Sequence, residues 1–202
     1  MLSAAAAEFE RRGYLGTRLQ DMASCLGISK GALYFHFPSK QALATAVAAR
    51  QHDLVPRLIA RLRPRHEKAT EVLVALAGQV TWQLMHRPDV HAGLRLIAED
   101  QLVGHNRPAR TEDFVHPYSA WAGAIDELLR EAGGQGDIRP GIDTSAAARS
   151  IMCAFAGLRQ VLPEACRVRP HESGTWAAAP RQFLQSLLLV REIGTVEDVG
   201  VD

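Results

Sequence analysis

Cysteine is scarce: Cys25, Cys153 and Cys166 are the three in 202 residues, and none form a CxxC pair. An odd number at such spacing fits poorly with a disulfide framework and better with a reducing compartment. Excess charge of one sign is also lacking, since 23 Lys and Arg oppose 22 Asp and Glu for a net +1. Such a chain is no polycation, so any affinity for nucleic acid must come from a local basic face. No apolar run approaches the roughly 18 residues of a membrane-spanning helix. The apolar start has no basic lead-in and runs straight into Glu8-Phe9-Glu10-Arg11-Arg12, unlike a signal peptide. A cytoplasmic protein without a membrane partner is the expectation. Catalytic patterns are missing too. None of the eight histidines is spaced HxxxH, and there is no GxSxG, no SxxK and no glycine-rich phosphate loop. We expect no enzyme, no cofactor and no metal site.

Alternating β-branched residues are nearly absent; what is there is Ala and Leu at helical spacing, cut by Gly and Pro. With 47% hydrophobic residues the chain can bury a sizeable core. The pattern predicts an all-α fold with helices over 2–12, 17–26, 29–35, 40–61, 68–86, 89–100, 117–131, 144–162 and 176–191. Loops are expected at 102–113 and 163–175. Gly13 stops the first helix, and Thr17-Arg18-Leu19-Gln20 has the form of a capping box for the second. Cys153 reads as a small packed hydrophobe. Cys166, in the second of those loops beside Arg167, is the more reactive candidate.

Two short helices joined by Leu26-Gly27-Ile28-Ser29 fit a helix-turn-helix. Ser29 caps the second, which buries Leu33 and Phe37 and leaves Lys30, Gly31, Ala32, Tyr34 and His36 outward. Lys30, at the helix start, can donate to guanine O6 or N7, while Gly31 and Ala32 permit close approach. Tyr34, His36 and Lys40 carry donors suited to phosphate oxygens, as do the hydroxyl and backbone N–H of Thr17. Residues 1–50 hold six cations against three anions, which favours DNA. The alternative, that residues 34–37 are an aromatic core patch in a helical hairpin, stays open on pattern alone.

The run from Ala4 to Phe9, Arg12-Gly13-Tyr14, Thr17, Leu26 to Phe37 and Lys40 resembles the DNA-binding domain of the TetR family of repressors. That resemblance implies a three-helix DNA-binding head at 1–38, a connecting helix at 39–63, a helical ligand-binding and dimerisation domain at 64–194, and a tail at 195–202. It also implies a homodimer through the two C-terminal helices, 144–162 and 176–191, seated on a palindromic double-stranded operator. Residues 87–96, His116-Pro117-Tyr118-Ser119-Ala120-Trp121 and 137–143 resemble, less specifically, the γ-butyrolactone receptors of antibiotic-producing actinobacteria. In that subfamily a tryptophan after the His-Pro segment covers the signal pocket, a role that falls here on Trp121. Trp82, Gln83 and Met85 lie on a helix the family uses to line that pocket, and Arg95 is a candidate for a ligand carbonyl or carboxylate. Read as residues alone, Trp121 suits a pocket wall or a core, and Arg95 a ligand partner, a partner for Glu99 or a surface charge. Relatives also carry a basic segment before the position of Met1. Its lack here implies either a start set too late or weaker DNA binding.

The function expected is a repressor released by a small diffusible signal of γ-butyrolactone, butenolide or furan type that controls secondary-metabolite genes. The alternative is a small-molecule-binding pseudo-receptor that has lost DNA binding.

Overall fold

The computed structural model describes residues 1–103, 117–168 and 182–184. Every regular element among the described residues is helical: α1 (Leu2–Gly16), α2 (Leu19–Cys25), α3 (Lys30–His36), α4 (Lys40–Ala49), α5 (Leu54–Leu62), a 3-10 turn (Arg63–Arg65), α6 (Ala69–His86), α7 (Pro88–Val103), α8 (Pro117–Gly134) and α9 (Thr144–Val168). They fall into two compact units. One joins Met1–Asp53 to α7; the other joins α5, α6, α8 and α9.

In the first unit, α1 buries Ala5, Ala6 and Phe9 on one face. Glu8 is buried beside them, and its charge is answered by Arg11 at 2.7 Å and Arg12 at 2.6 Å. Gly13 then breaks the helical path with φ +69°, a conformation that side chains with a Cβ resist. Leu19, Met22 and Ala23 form the buried stripe of α2. Its end is a Schellman turn: Gly27 N–H donates to Ser24 O and Ile28 N–H to Ala23 O, with Gly27 at φ +63°. Ser29 Oγ then accepts from Ala32 N–H at 3.1 Å, and Ser39 Oγ from Ala42 N–H at 3.0 Å, capping α3 and α4.

Helix α7 packs on α1 and α4. Arg95 Nη1 donates to Glu10 O at 2.9 Å, and His91 Nδ1 lies 2.6 Å from Glu10 Oε1. Gln51, only 3% exposed, donates to Asp89 O and covers Gly93, where an added Cβ would stand 2.6 Å from Gln51 Nε2.

Two sequence expectations fail here. Thr17 is not the cap of α2, because its hydroxyl donates back to Gly13 O at 2.7 Å and Arg18 takes the N-cap position. The helix expected over 40–61 is two helices separated by a turn at 50–53. Pro56 supplies the reason: it has no N–H for the carbonyl of His52 and its ring crowds that carbonyl, but it is tolerated in the first turn of α5.

In the second unit, α8 buries Trp121, Ile125, Leu128, Leu129 and Ala132, and α6 buries Val72, Leu73, Leu76, Ala77 and Val80. Both sets follow helical spacing. Around the start of α6, Arg63 grips Glu131 with both Nη atoms, Lys68 Nζ meets Asp137 Oδ1 at 2.9 Å, and Ala69 N–H donates to Gln135 Oε1 at 2.9 Å. The carboxyl of Glu131 is held below its ordinary pKa by the hydrogen bond from Arg63. Helix α9 runs on through Pro163 to Val168, so Cys166 lies in a helix and not in the expected loop. Apart from 182–184, the expected helix at 176–191 lies outside the described residues, as does the tail. No helix among the described residues is long and apolar enough to cross a membrane.

Candidate nucleic-acid interface

A seven-residue helix cannot hold itself in water, so α3 depends on what anchors it. Leu33 is fully buried, worth roughly 1.5–3 kcal/mol for a side chain of that size. The Gly27 turn sets the entry of the helix, and the Ser29 cap satisfies one of its free N–H groups. With one face fixed, the remaining residues of α3 have nowhere to go but outward. Lys30, Gly31, Ala32, Tyr34 and His36 are all exposed, as the pattern predicts. Lys30 Nζ sits 5.7 Å from the centroid of the Tyr34 ring, so a cation and an aromatic hydroxyl share one outer surface. Phe37, expected in the core, is half-buried at the C-cap.

The flanking candidates are placed differently. Thr17 is 1% exposed, and its hydroxyl and N–H bond to Gly13 O and Tyr14 O. The groups expected to meet phosphate are therefore engaged within the fold. Lys40 Nζ donates to Tyr14 O at 2.9 Å and Thr17 O at 3.0 Å, and lies 4.4 Å from the centroid of the Tyr14 ring. Partial burial lowers its pKa from the ordinary 10.5. An ammonium has three donors, so one remains for a phosphate. Ser29 Oγ serves as a cap and leaves its own proton available.

One residue that spacing alone passed over is Phe35. Its ring is 86% exposed, the largest exposure among the large hydrophobics described. Only an angular count around α3, which sets position 35 nearly opposite Leu33, carries that signal in the sequence.

The ligand candidates are carried by three helices, α6, α7 and α8. Trp121 is buried, edge-on to Tyr118 with ring centroids 5.8 Å apart. Trp82, Gln83 and Met85 are half-buried on α6. Arg95 belongs to the first unit, where it holds the α1 backbone, a bond that none of the roles weighed for it in the sequence describes. None of the five lines the groove between α8 and α9, about 580 Å³ in volume, whose walls include Tyr118, Ala122, Ala148, Met152, Cys153 and Ala156. Cys153 is exposed there, contrary to expectation. The buried stripe of α9 is Ala148, Ile151, Met152 and Phe155, at helical spacing, and position 153 lies outside it.

Residues 1–47 match the family model described as bacterial regulatory proteins, tetR family, and residues 67–178 match the tetracyclin repressor-like C-terminal domain. The A-factor receptor protein of Streptomyces griseus is 29% identical over 187 residues, covering 93% of this chain; the chain spans 62% of that relative's length. A crystal structure of a γ-butyrolactone receptor, ArpA-like protein, superposes with a TM-score of 0.67 at 30% identity, covering 90% of this chain and 94% of that one. CprB from Streptomyces coelicolor, solved in complex with its biological operator sequence, gives 0.63 at 28% identity, over 92% of this chain and 94% of that one. With an exposed α3 braced as a helix-turn-helix, and both ends of the chain matching the same family's two models, this chain belongs to the TetR family of bacterial regulatory proteins.

Proposed function

We propose that the chain is a ligand-responsive transcriptional repressor. Two copies hold a palindromic operator through α3, and a small diffusible signal of γ-butyrolactone, butenolide or furan type releases them to switch on secondary-metabolite genes. The observation that carries the reading is α3 itself: a helix pinned by Leu33 and presenting Lys30, Gly31, Ala32, Tyr34 and His36 to solvent. Lys30 reads guanine, Gly31 and Ala32 admit the groove edge, and Tyr34, Ser29, His36 and the third N–H of Lys40 meet phosphates. Thr17 contributes indirectly by bracing the turn that Lys40 also holds.

The functional division is a head at 1–38, a connecting segment at 39–63 and a ligand-binding and dimerisation region at 64–194. One small head has little affinity, and a two-fold pair on a palindrome doubles its contacts. The groove of α8 and α9 supports dimerisation, because its apolar lining, half-buried Ala122 and exposed Ala156 over buried Ala148 and Met152, is suited to a second copy. α9 is the first of the two helices assigned to that contact. Trp121, with Trp82, Gln83 and Met85, forms the wall of the signal pocket. The class of signal is taken from the relatives named as receptors for A-factor and γ-butyrolactone.

Fluorescence-anisotropy titration of the full chain against its own upstream DNA and a random duplex, at two salt concentrations, tests this. The expected result is a preference for the upstream fragment that survives the higher salt, since phosphate contacts weaken with salt for both duplexes alike. Equal, salt-sensitive binding to both, or none, overturns the repressor reading and favours a pseudo-receptor.

A further inference from the structure

We propose that Phe35 is a specificity residue that reads the C5-methyl group of a thymine in the operator half-site; this rests on the reading above that α3 enters the major groove. Folding leaves the Phe35 ring 86% exposed, with His36 edge-on at 5.3 Å as its described ring contact. A ring so placed contributes nothing to the core, which Leu33 serves from the opposite side of the same helix. Helical side chains lean toward the N-terminus, so the ring leans over the turn that carries Gly31. A Cβ at Gly31 would meet nothing nearer than Ser29 Oγ at 3.9 Å. The ring therefore has an uncrowded approach, with Lys30 and Tyr34 to one side and His36 to the other.

The chemistry then selects the occupant. A phenyl ring has no donor or acceptor, so pressing it on a guanine, adenine or cytosine edge strips water from polar atoms without replacing their hydrogen bonds. Of the groups displayed in the major groove, only the thymine methyl is apolar. Polar contacts from Lys30 and Tyr34, on the adjoining side of the exposed surface, hold the helix in register, so the ring meets one base position and not a smear of them.

The test uses the full chain and an operator selected by the wild type from a randomised duplex pool. Each thymine of the half-site is replaced in turn by deoxyuridine, which removes only the methyl group, and binding is measured for wild type, Phe35→Ala and Phe35→Leu. At one thymine per half-site the wild type should lose about fourfold in affinity, the effect of one buried methyl. Phe35→Ala should bind the thymine and deoxyuridine duplexes equally at that position and keep the wild-type profile at all others, with Phe35→Leu retaining part of the discrimination. If Phe35→Ala keeps the whole wild-type methyl profile, or weakens cognate and random duplexes by the same factor, the inference falls while the repressor reading stands. If the wild type selects no duplex from the pool, both fall. Because the ring is exposed, circular dichroism and melting of the variants should match the wild type.

Discussion

At Lys40 the ammonium has three N–H groups, and two of them bond the carbonyls of Tyr14 and Thr17. Those carbonyls follow the break at Gly13, in the last turn of α1 and at its C-cap. Lys40 thus ties the start of α4 to the end of α1. Replacing it with Met should lower stability by about 1–2 kcal/mol, the net value of such partly exposed bonds to a charged donor. Thermal melting checks this: an unchanged midpoint would show that the ammonium serves DNA alone. The residues legible in the sequence are those whose role is settled within a few positions. Gly13, Gly27, Ser29 and Leu33 act through local turns, caps and helical spacing. The cap expected at Thr17 and the packing expected of Cys153 fail for the opposite reason, and the two carbonyl bonds of Lys40 leave no trace in spacing, because the partners that decide them, or the face that omits them, are set by tertiary packing.

Helices α6 and α8 were legible in type and nearly in extent, because each carries a buried stripe at helical spacing that propensity reinforces. The break between α4 and α5 was equally present in the sequence, as Pro56, yet apolar periodicity on both sides outweighed it. At this scale the ion pairs around the start of α6 matter most, since they join residues more than sixty positions apart. Glu131 has its pKa held below the ordinary 4.5, first by the hydrogen bond from Arg63. A carboxylate with a depressed folded-state pKa adds stability that is fully present above its unfolded value. That stability disappears as the pH falls through the lower, folded-state value. The melting difference between wild type and Glu131→Gln should therefore be constant at neutral pH and shrink toward zero as the solution is acidified below pH 4.5. Both groups are about a third exposed, so salt should reduce the difference as well. A gap that persists unchanged in acid would mean that Glu131 acts through packing rather than through its charge.

Across the whole molecule the chain order and the compact units part company. Helix α7 follows α6 in sequence but packs on α1 and α4. The bonds that place it, Arg95 to Glu10 and Gln51 to Asp89, span long stretches of sequence that no periodicity connects. The family resemblance supplied a helical head and a helical C-terminal region; it did not supply this pairing. A repressor that senses a signal must nevertheless couple binding in one region to DNA affinity in another, and thermodynamics constrains that coupling whatever route it takes. If a γ-butyrolactone lowers operator affinity by some factor, the operator must lower the affinity for the γ-butyrolactone by the same factor. For allosteric proteins the factor is typically about 5–150. Operator titrations at zero and saturating γ-butyrolactone give one side of the cycle, and calorimetric titration of the γ-butyrolactone into the free and operator-bound protein gives the other. Equal factors above one are the expected result. Tight binding of the γ-butyrolactone with a factor of one on both sides would show a protein that holds the molecule without answering it, because a ligand that binds two states equally shifts neither.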